Sequence, residues 1–333
     1  MLPSELERTV YGVISTSVLH VADKHGVFSH LIEYGESTST ALAAALGVEE
    51  ETLERVLLVL VAFGVVRMAP DGRCSLPEEI RPYLDRNDAR YIGGFVEHMV
   101  TETSKQIDRL DSYLRDGKAA VDRDLPPPFE TIYRDDTATR NFLRAMWDLS
   151  FGPSQEIAAL AGLDDVAMLI DVGGATGPFA TAALRHSPAL RATVFDLPQV
   201  EPYLQESARK QGLTDRLAFA AGDFFTDEIP AGDCVALGYV LSDWTDETCA
   251  RLLEKAFRAC TPPGRVLIME RLFDDTRTGP LSTSVMNLTM HVETEGRHRT
   301  AEEYRSLLEA AGFTNCEVRR TRGEKHLIIG HRK

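Results

Sequence analysis

Long apolar runs are missing from this sequence. Stretches such as Val56-Leu57-Leu58-Val59-Leu60-Val61-Ala62-Phe63 fall well short of the roughly 20 residues that a membrane-spanning helix needs. Cysteine pairs at metal-ligand or redox spacing are absent too. The five cysteines, at 74, 234, 249, 260 and 316, are odd in number and scattered, so reduced, mostly buried thiols are expected rather than a disulfide framework. Basic charge is in deficit, 36 Lys and Arg against 51 Asp and Glu for a net −15. Such a surface repels phosphate backbones and anionic membranes, which argues against both as partners. The opening Met1-Leu2-Pro3-Ser4-Glu5-Leu6-Glu7-Arg8 has neither the basic nor the apolar region of a signal peptide, so a soluble, cytoplasmic protein is expected. What is present is ordinary for a globular protein: 44% hydrophobic and 26% charged residues over 333 positions, enough for about two domains.

Residues 4 to 34 carry apolar positions at helical spacing (Leu6, Val10, Val13, Ile14, Val18, Leu19) on more than one face, which suits a contact with a second copy better than an isolated surface helix. From Ser37 to Leu84 the pattern predicts a helix-turn-helix with a small β wing: a cap in Ser37–Thr40, helices before and after Gly47, and a hairpin around Pro70-Asp71-Gly72. The second helix opens with Glu49-Glu50-Glu51, where a DNA-reading helix would present Lys or Arg. Residues 88 to 150 read as helical, broken at Gly117 and by Leu125-Pro126-Pro127-Pro128.

Beyond residue 163 short apolar runs alternate with amphipathic helices. Strands are expected at 167–171, 192–196, 217–221, 234–238, 266–270, 316–320 and 326–330, with helices near 178–187, 199–212, 245–260 and 301–312. This predicts an α/β fold, a doubly wound Rossmann-like sheet. Only Thr321-Arg322-Gly323-Glu324 separates the last two strands, so they should form an antiparallel hairpin at the sheet edge. The expected organisation is a helical, winged-helix segment over 1–100, a helical linker over 101–162 and a sheet domain over 163–333.

Three motifs end successive strands. The first is Asp171-Val172-Gly173-Gly174-Ala175-Thr176-Gly177, a glycine-rich turn of Gly-Gly-x-x-Gly spacing that departs from the nicotinamide fingerprint and carries an acid suited to a cationic amino-acid tail. In the second, Asp196 of Asp196-Leu197-Pro198 is positioned to accept both hydroxyls of a ribose. In the third, Gly222-Asp223-Phe224-Phe225 offers a carboxylate to an adenine amine and a ring to its face. Three such elements in order along one sheet edge define a nucleoside site.

With Leu241-Ser242-Asp243-Trp244-Thr245-Asp246-Glu247, Glu270 and Gly296-Arg297-His298-Arg299-Thr300 added, nearly the whole chain resembles the S-adenosylmethionine-dependent small-molecule O-methyltransferases of the plant caffeate and bacterial antibiotic type. The resemblance implies S-adenosylmethionine as cofactor, held by Asp171, Gly173, Gly174, Gly177, Asp196, Leu197, Asp223, Phe224 and Trp244. It also implies a homodimer joined through the amino-terminal domain, and an acceptor pocket walled by Met146, Trp147, Phe151, Tyr239, Asn287 and Met290. The acceptor is expected to be a small molecule of secondary metabolism.

The chain departs from that family where the proton is handled. The family's general-base histidine is replaced by Ser242; of its two orienting glutamates Glu270 is kept and the other is His298; and His291 stands where an apolar residue is usual. Ser242, Asp243, Glu270, His291 and His298 are therefore the candidate catalytic set, and two chemistries follow. In one, His298 or His291 replaces the base and an acidic hydroxyl is methylated. In the other, towards which the pattern leans, Asp243 and His291 hold a divalent metal that chelates an α-keto acid and its β-carbon is methylated. Arg297 and Arg299 are candidates to meet an acceptor carboxylate. A non-methylating relative and a winged-helix regulator are the remote readings.

Overall fold

In the computed structural model, which describes residues 2–333, glycines and caps set the boundaries of the first helices. Helix α1 (Ser4–Lys24) has Glu5 and Glu7 in its first turn and Lys24 in its last, the signs that suit a helix dipole. Gly26 then takes a left-handed conformation, φ 80°, and turns the chain into α2 (Val27–Tyr34). Strand β1 (Ser37–Thr38) leads into α3 (Ser39–Leu46), whose first turn is capped by the Thr38 hydroxyl accepting the Ala41 N–H. In α4 (Glu50–Ala62) the Glu49 carboxylate caps the N–H groups of Glu51 and Thr52, so this acid-rich start is a helix signal. Strands β2 (Arg67–Met68) and β3 (Arg73–Ser75) complete a small antiparallel sheet in the order β1-β3-β2, the expected wing. Phe28, Leu42, Leu57, Leu60 and Cys74 are among its buried core. Of α1 only Ala22 is buried, and Leu6, Val10, Tyr11, Val13 and Ile14 are exposed.

The chain divides into two units, one ending at Ser104 and one spanning Lys105–Lys333. The second begins with short helical turns and then α5 (Asp136–Leu160), capped by the Asp135 carboxylate accepting the Ala138 N–H. This helix runs ten residues past the end expected from the pattern and through Pro153, because its buried stripe of Phe151, Ser154, Ile157 and Ala158 continues: packing overrides the proline's cost.

The sheet follows: β4 (Met168–Val172), α6 (Pro178–His186), β5 (Arg191–Asp196), α7 (Glu201–Gln211), β6 (Leu217–Ala221), β7 (Gly232–Gly238), α8 (Asp246–Ala259), β8 (Cys260–Phe273), α9 (Leu281–Glu293), β9 (Arg299–Thr300), α10 (Ala301–Ala310), β10 (Thr314–Arg319) and β11 (Lys325–Arg332). Its order is β6-β5-β4-β7-β8-β11-β10, with short β9 on the end of β8. The strands β4 to β8 pair in parallel, and β11 runs antiparallel to β8 and β10. Each face packs on its own cluster, Leu169, Ala236 and Met269 on one side and Ile170, Leu237 and Ile268 on the other, which is why these strands read as nearly continuous apolar runs. Chain direction across the sheet reverses between β4 and β7, so the crevice beyond their carboxyl ends is the switch point of an open α/β sheet. Helix α9 has no core-facing apolar stripe to announce it. Its buried positions include Thr283 and Thr289, while Leu281, Val285 and Leu288 are exposed. No helix among the described residues is long and apolar enough to cross a membrane.

Candidate functional site

The glycines after β4 are there because side chains do not fit. A Cβ at Gly174 would stand 2.7 Å from Cγ of Asp171, and one at Gly173, where φ is +63°, would stand 2.9 Å from Val240. Gly177 in left-handed conformation starts α6 with Pro178 at its first position. Asp171 is buried and accepts the Ala180 N–H at 3.2 Å. Burial pushes its carboxyl up to about 7, against the pull of Lys325 and of that N–H. The Asp196 carboxylate accepts the N–H of Ala175 at 2.8 Å and of Leu197 at 2.7 Å, so it closes the glycine-rich turn onto β5. Each of its oxygens keeps a further lone pair. Burial raises it to about 6.

Asp223 is tied to its own loop, its carboxylate accepting the Phe225 N–H at 2.8 Å and its N–H donated to Asp227 at 2.8 Å. Trp244 is buried, with the rings of Phe225 at 4.7 Å, Phe129 at 5.8 Å and Phe224 at 6.3 Å, and its indole N–H has no partner among the described residues. Phe129 and Tyr133 were not legible as site residues, since they follow the Pro126–Pro128 stretch that reads as a hinge. The Tyr133 ring lies 6.1 Å from Phe129, and burial holds its phenol well above its ordinary value, with the charges of Asp196 and Asp243 adding to the shift.

Ser242 and Asp243 lie in a single turn, Leu241–Asp243, after β7. Buried Arg299 fixes that turn by donating to the carbonyls of Leu241 and Trp244, each at 2.9 Å, and to Asp246 at 2.7 Å. Arg297 is likewise paired with Asp246 and Glu303. The two arginines thus serve the loop, which corrects the expectation that they meet an acceptor carboxylate. Gly296 lies against the same turn, its missing Cβ 1.9 Å from the Ser242 carbonyl oxygen. Asn287 on α9 accepts the His298 N–H at 2.9 Å, anchoring the following segment.

Glu270 and His298 are both buried. One Glu270 oxygen accepts the Ser242 N–H at 3.1 Å; the other has no partner and lies 3.9 Å from Nδ1 of His298. Neither ring nitrogen of His298 is hydrogen-bonded among the described residues. Burial lowers His298 to about 3, with the Arg271 charge adding. Burial likewise raises Glu270 to about 7, offset by hydrogen bonds from Ser242 and by Lys325 and Arg299. Half-buried Asp243 is held well above the usual carboxylate range by its crowded surroundings, then by Glu270 and Glu293.

His291 is not part of this group. It is exposed on α9, its ring edge-on to Tyr113 at 5.9 Å, and among the described residues no set of three or more His, Cys, Asp or Glu side chains is grouped to hold a metal ion. The pairing of Asp243 with His291 as metal ligands therefore has no support in the geometry. Phe151 is buried, stacked on Trp147 at 4.5 Å, with the Arg185 guanidinium 5.6 Å from its ring, so it links α5 to α6. Met146, Tyr239 and Met290 are half-buried. Lys325, which the sequence pattern did not single out, is buried with Nζ 4.0 Å from the centre of the Tyr239 ring. Burial lowers it to about 8 against the attraction of Glu270 and Asp171.

This arrangement has counterparts among known proteins. A family model described as an O-methyltransferase domain matches residues 114–314. Acetylserotonin O-methyltransferase of Bos taurus is 31% identical over 339 residues, covering 99% of this chain and 97% of its own. The tetracenomycin polyketide synthesis 8-O-methyl transferase of Streptomyces glaucescens is 33% identical over 293 residues, covering 87% and 86%. The crystal structure of human N-acetylserotonin methyltransferase in complex with S-adenosylmethionine matches with a TM-score of 0.89 at 27% identity, over 100% of this chain and 99% of that one. With well over half of its length under the family model and full-length relatives above 30% identity, the chain belongs to the O-methyltransferase family.

Proposed function

We propose that this chain transfers the methyl group of S-adenosylmethionine to a hydroxyl of a small aromatic acceptor, one acidic enough to need no histidine at position 242, and that the His298–Glu270 pair receives the proton. The residues fit that cofactor: the glycine-rich turn admits no side chains, and a buried indole N–H lacks a partner. When bound, the cofactor supplies an electrophilic methyl on a positively charged sulfur. Asp171 takes up the cationic amino-acid end, Asp196 the ribose hydroxyls through its remaining lone pairs, and Asp223 the adenine amine. Phe224 and Trp244 enclose the base. Met146, Tyr239, Asn287 and Met290 wall the acceptor.

The observation that carries the proton assignment is a buried imidazole with neither nitrogen hydrogen-bonded among the described residues, 3.9 Å from a carboxylate oxygen that likewise has no partner among them. Leaving such groups unsatisfied is costly, so they belong where a ligand completes them. Alone, a histidine lowered to about 3 is a feeble base. Beside an ionised Glu270 the imidazolium is offset, so the two groups take up one proton as a pair. An acceptor of ordinary alcohol acidity would lie far outside their reach, which selects phenols and comparably acidic hydroxyls. We further propose that a second copy of the chain covers the exposed apolar face of α1, since Leu6, Val10, Tyr11, Val13 and Ile14 together exceed the scattered apolar exposure of a monomer. Its five free cysteines suit a reducing, cytoplasmic setting.

The deciding experiment is NMR of the products formed from methyl-labelled S-adenosylmethionine with a panel of phenols and α-keto acids, with and without a chelator. Label on oxygen, indifferent to chelator, is expected. Label on carbon that disappears with chelator would overturn this reading in favour of metal-assisted methylation.

A further inference from the structure

Lys325 begins β11 and is 2% exposed, a position where an ammonium is costly without a compensating charge. The surrounding backbone is shaped around it. At Gly238, the last residue of β7, a Cβ would stand 3.3 Å from the Lys325 nitrogen and 3.0 Å from Cε of Met269, so the absence of a side chain there makes the ammonium's space. The next residue, Tyr239, adopts φ +56°, a left-handed conformation that bulky residues rarely take. That conformation goes with a Tyr239 N–H donated to the Met269 carbonyl at 3.1 Å and a ring centred 4.0 Å from the ammonium. Glycine, strained tyrosine and buried lysine come from two separate strands and converge on one charge.

The other buried cations of the region are committed. Arg299 is bonded to main-chain carbonyls and Asp246, and Arg271 is paired with Glu324. Lys325 is attracted by Asp171 and Glu270, yet among the described residues no contact ion pair or hydrogen bond occupies its ammonium.

Its place in the fold indicates what does. Gly238, Tyr239 and Val240 form the β7 side of the switch-point crevice, and Val240 faces the glycine turn that forms the β4 side, 2.9 Å from the position of a Cβ on Gly173. A ligand seated there finds the Asp171 carboxylate below the turn and the Lys325 ammonium beside Gly238. A buried acid and a buried ammonium that attract each other without forming a contact ion pair complement a zwitterion of the α-amino-acid kind. We propose that Lys325 binds the carboxylate of the methyl donor's amino-acid moiety, opposite the ammonium that Asp171 takes. The assignment rests on S-adenosylmethionine being that donor.

The test is calorimetric binding of S-adenosylhomocysteine and of its decarboxylated analogue to the full-length protein, wild type and Lys325→Met. The wild type should prefer the carboxylate ligand by on the order of 10- to 100-fold, the range of a charged hydrogen bond. In Lys325→Met that preference should collapse to within about threefold, with the decarboxylated analogue bound nearly as before. Lys325→Gln, which keeps a polar tip, serves if the methionine variant does not fold, and the same collapse is expected. Equal weakening of both ligands would make Lys325 a structural residue and overturn the assignment, as would a wild type that binds the two alike. A wild type that binds neither would remove the donor reading itself, and the inference with it.

Discussion

The two sides of the site satisfy their polar groups in different ways. On the β4–β5 side the acids are held by main-chain N–H groups: Asp171 by Ala180, Asp196 by Ala175 and Leu197, Asp223 by Phe225. On the β7–β8 side, the His298 ring nitrogens and one Glu270 oxygen have no hydrogen bond among the described residues. Main-chain donors fix a carboxylate's orientation before any ligand arrives, so the first side is preorganised and indifferent to which acceptor is used. On the proposed reading, the second leaves its hydrogen-bonding capacity for the ligand and the proton. One side can thus stay constant while the other varies with the acceptor.

The comparison breaks most severely at the glycine turn. Gly174→Val would drive a branched side chain into Asp171, and binding of S-adenosylhomocysteine should fall by at least about 100-fold, read as loss of the ligand-induced rise in melting temperature. Next in size is the proton pair. His298→Ala should lower kcat by on the order of 100- to 1,000-fold while S-adenosylhomocysteine binds within a few-fold of wild type. Ser242→Ala should cost less than about tenfold, because alanine keeps the backbone N–H that Ser242 donates to Glu270 at 3.1 Å and gives up only the hydroxyl's share. Equal losses in both variants would show that the two sides are not separable. Arg299→Leu tests the scaffold they share. Removing the donor that satisfies Leu241, Trp244 and Asp246 should destabilise the fold by about 3 kcal/mol in denaturant unfolding.

Legibility in the sequence follows the same division. The strands, the Asp171 to Gly177 turn and the terminal hairpin are local features, written in alternation, glycine spacing and a short connection, and they stand close to where the pattern puts them. Groups whose role comes from long-range packing were not legible. Arg299 looks like a partner for an acceptor carboxylate until α8 brings Asp246 to it, and His291 looks like a ligand until α9 turns it outward. Lys325 and Tyr133 become site residues only because strand order and the turn after Pro128 deliver them. Helix α9 hides its core contacts behind threonines, so no apolar period announces which of its faces is inside.

The smallest effect concerns pH and sets His298 against the buried acids of both sides by sign. His298 is lowered to about 3, so below its ordinary value near 6.5 the unfolded chain binds a proton that the folded chain refuses. Its contribution to stability is complete above about pH 6.5 and is lost as pH falls towards 3, at up to about 1.4 kcal/mol per pH unit. Asp171 at about 7, Asp196 at about 6 and Glu270 at about 7 run the other way. Folded, they keep protons that the unfolded chain has released above about pH 4, so their contribution is complete at low pH and is lost as pH rises through 6 to 7. Replacing His298 by Gln removes its opposing slope, while His326, also lowered by burial, keeps its own in both proteins. Between pH 6 and 5 the variant should gain stability relative to wild type, by up to about 1.4 kcal/mol, in urea unfolding of the ligand-free protein. Parallel curves for the two proteins would mean that His298 takes up its proton in the folded state at an ordinary pH. The imidazole would then be a competent base without Glu270, and the contrast between a satisfied and an unsatisfied side would lose its chemical meaning.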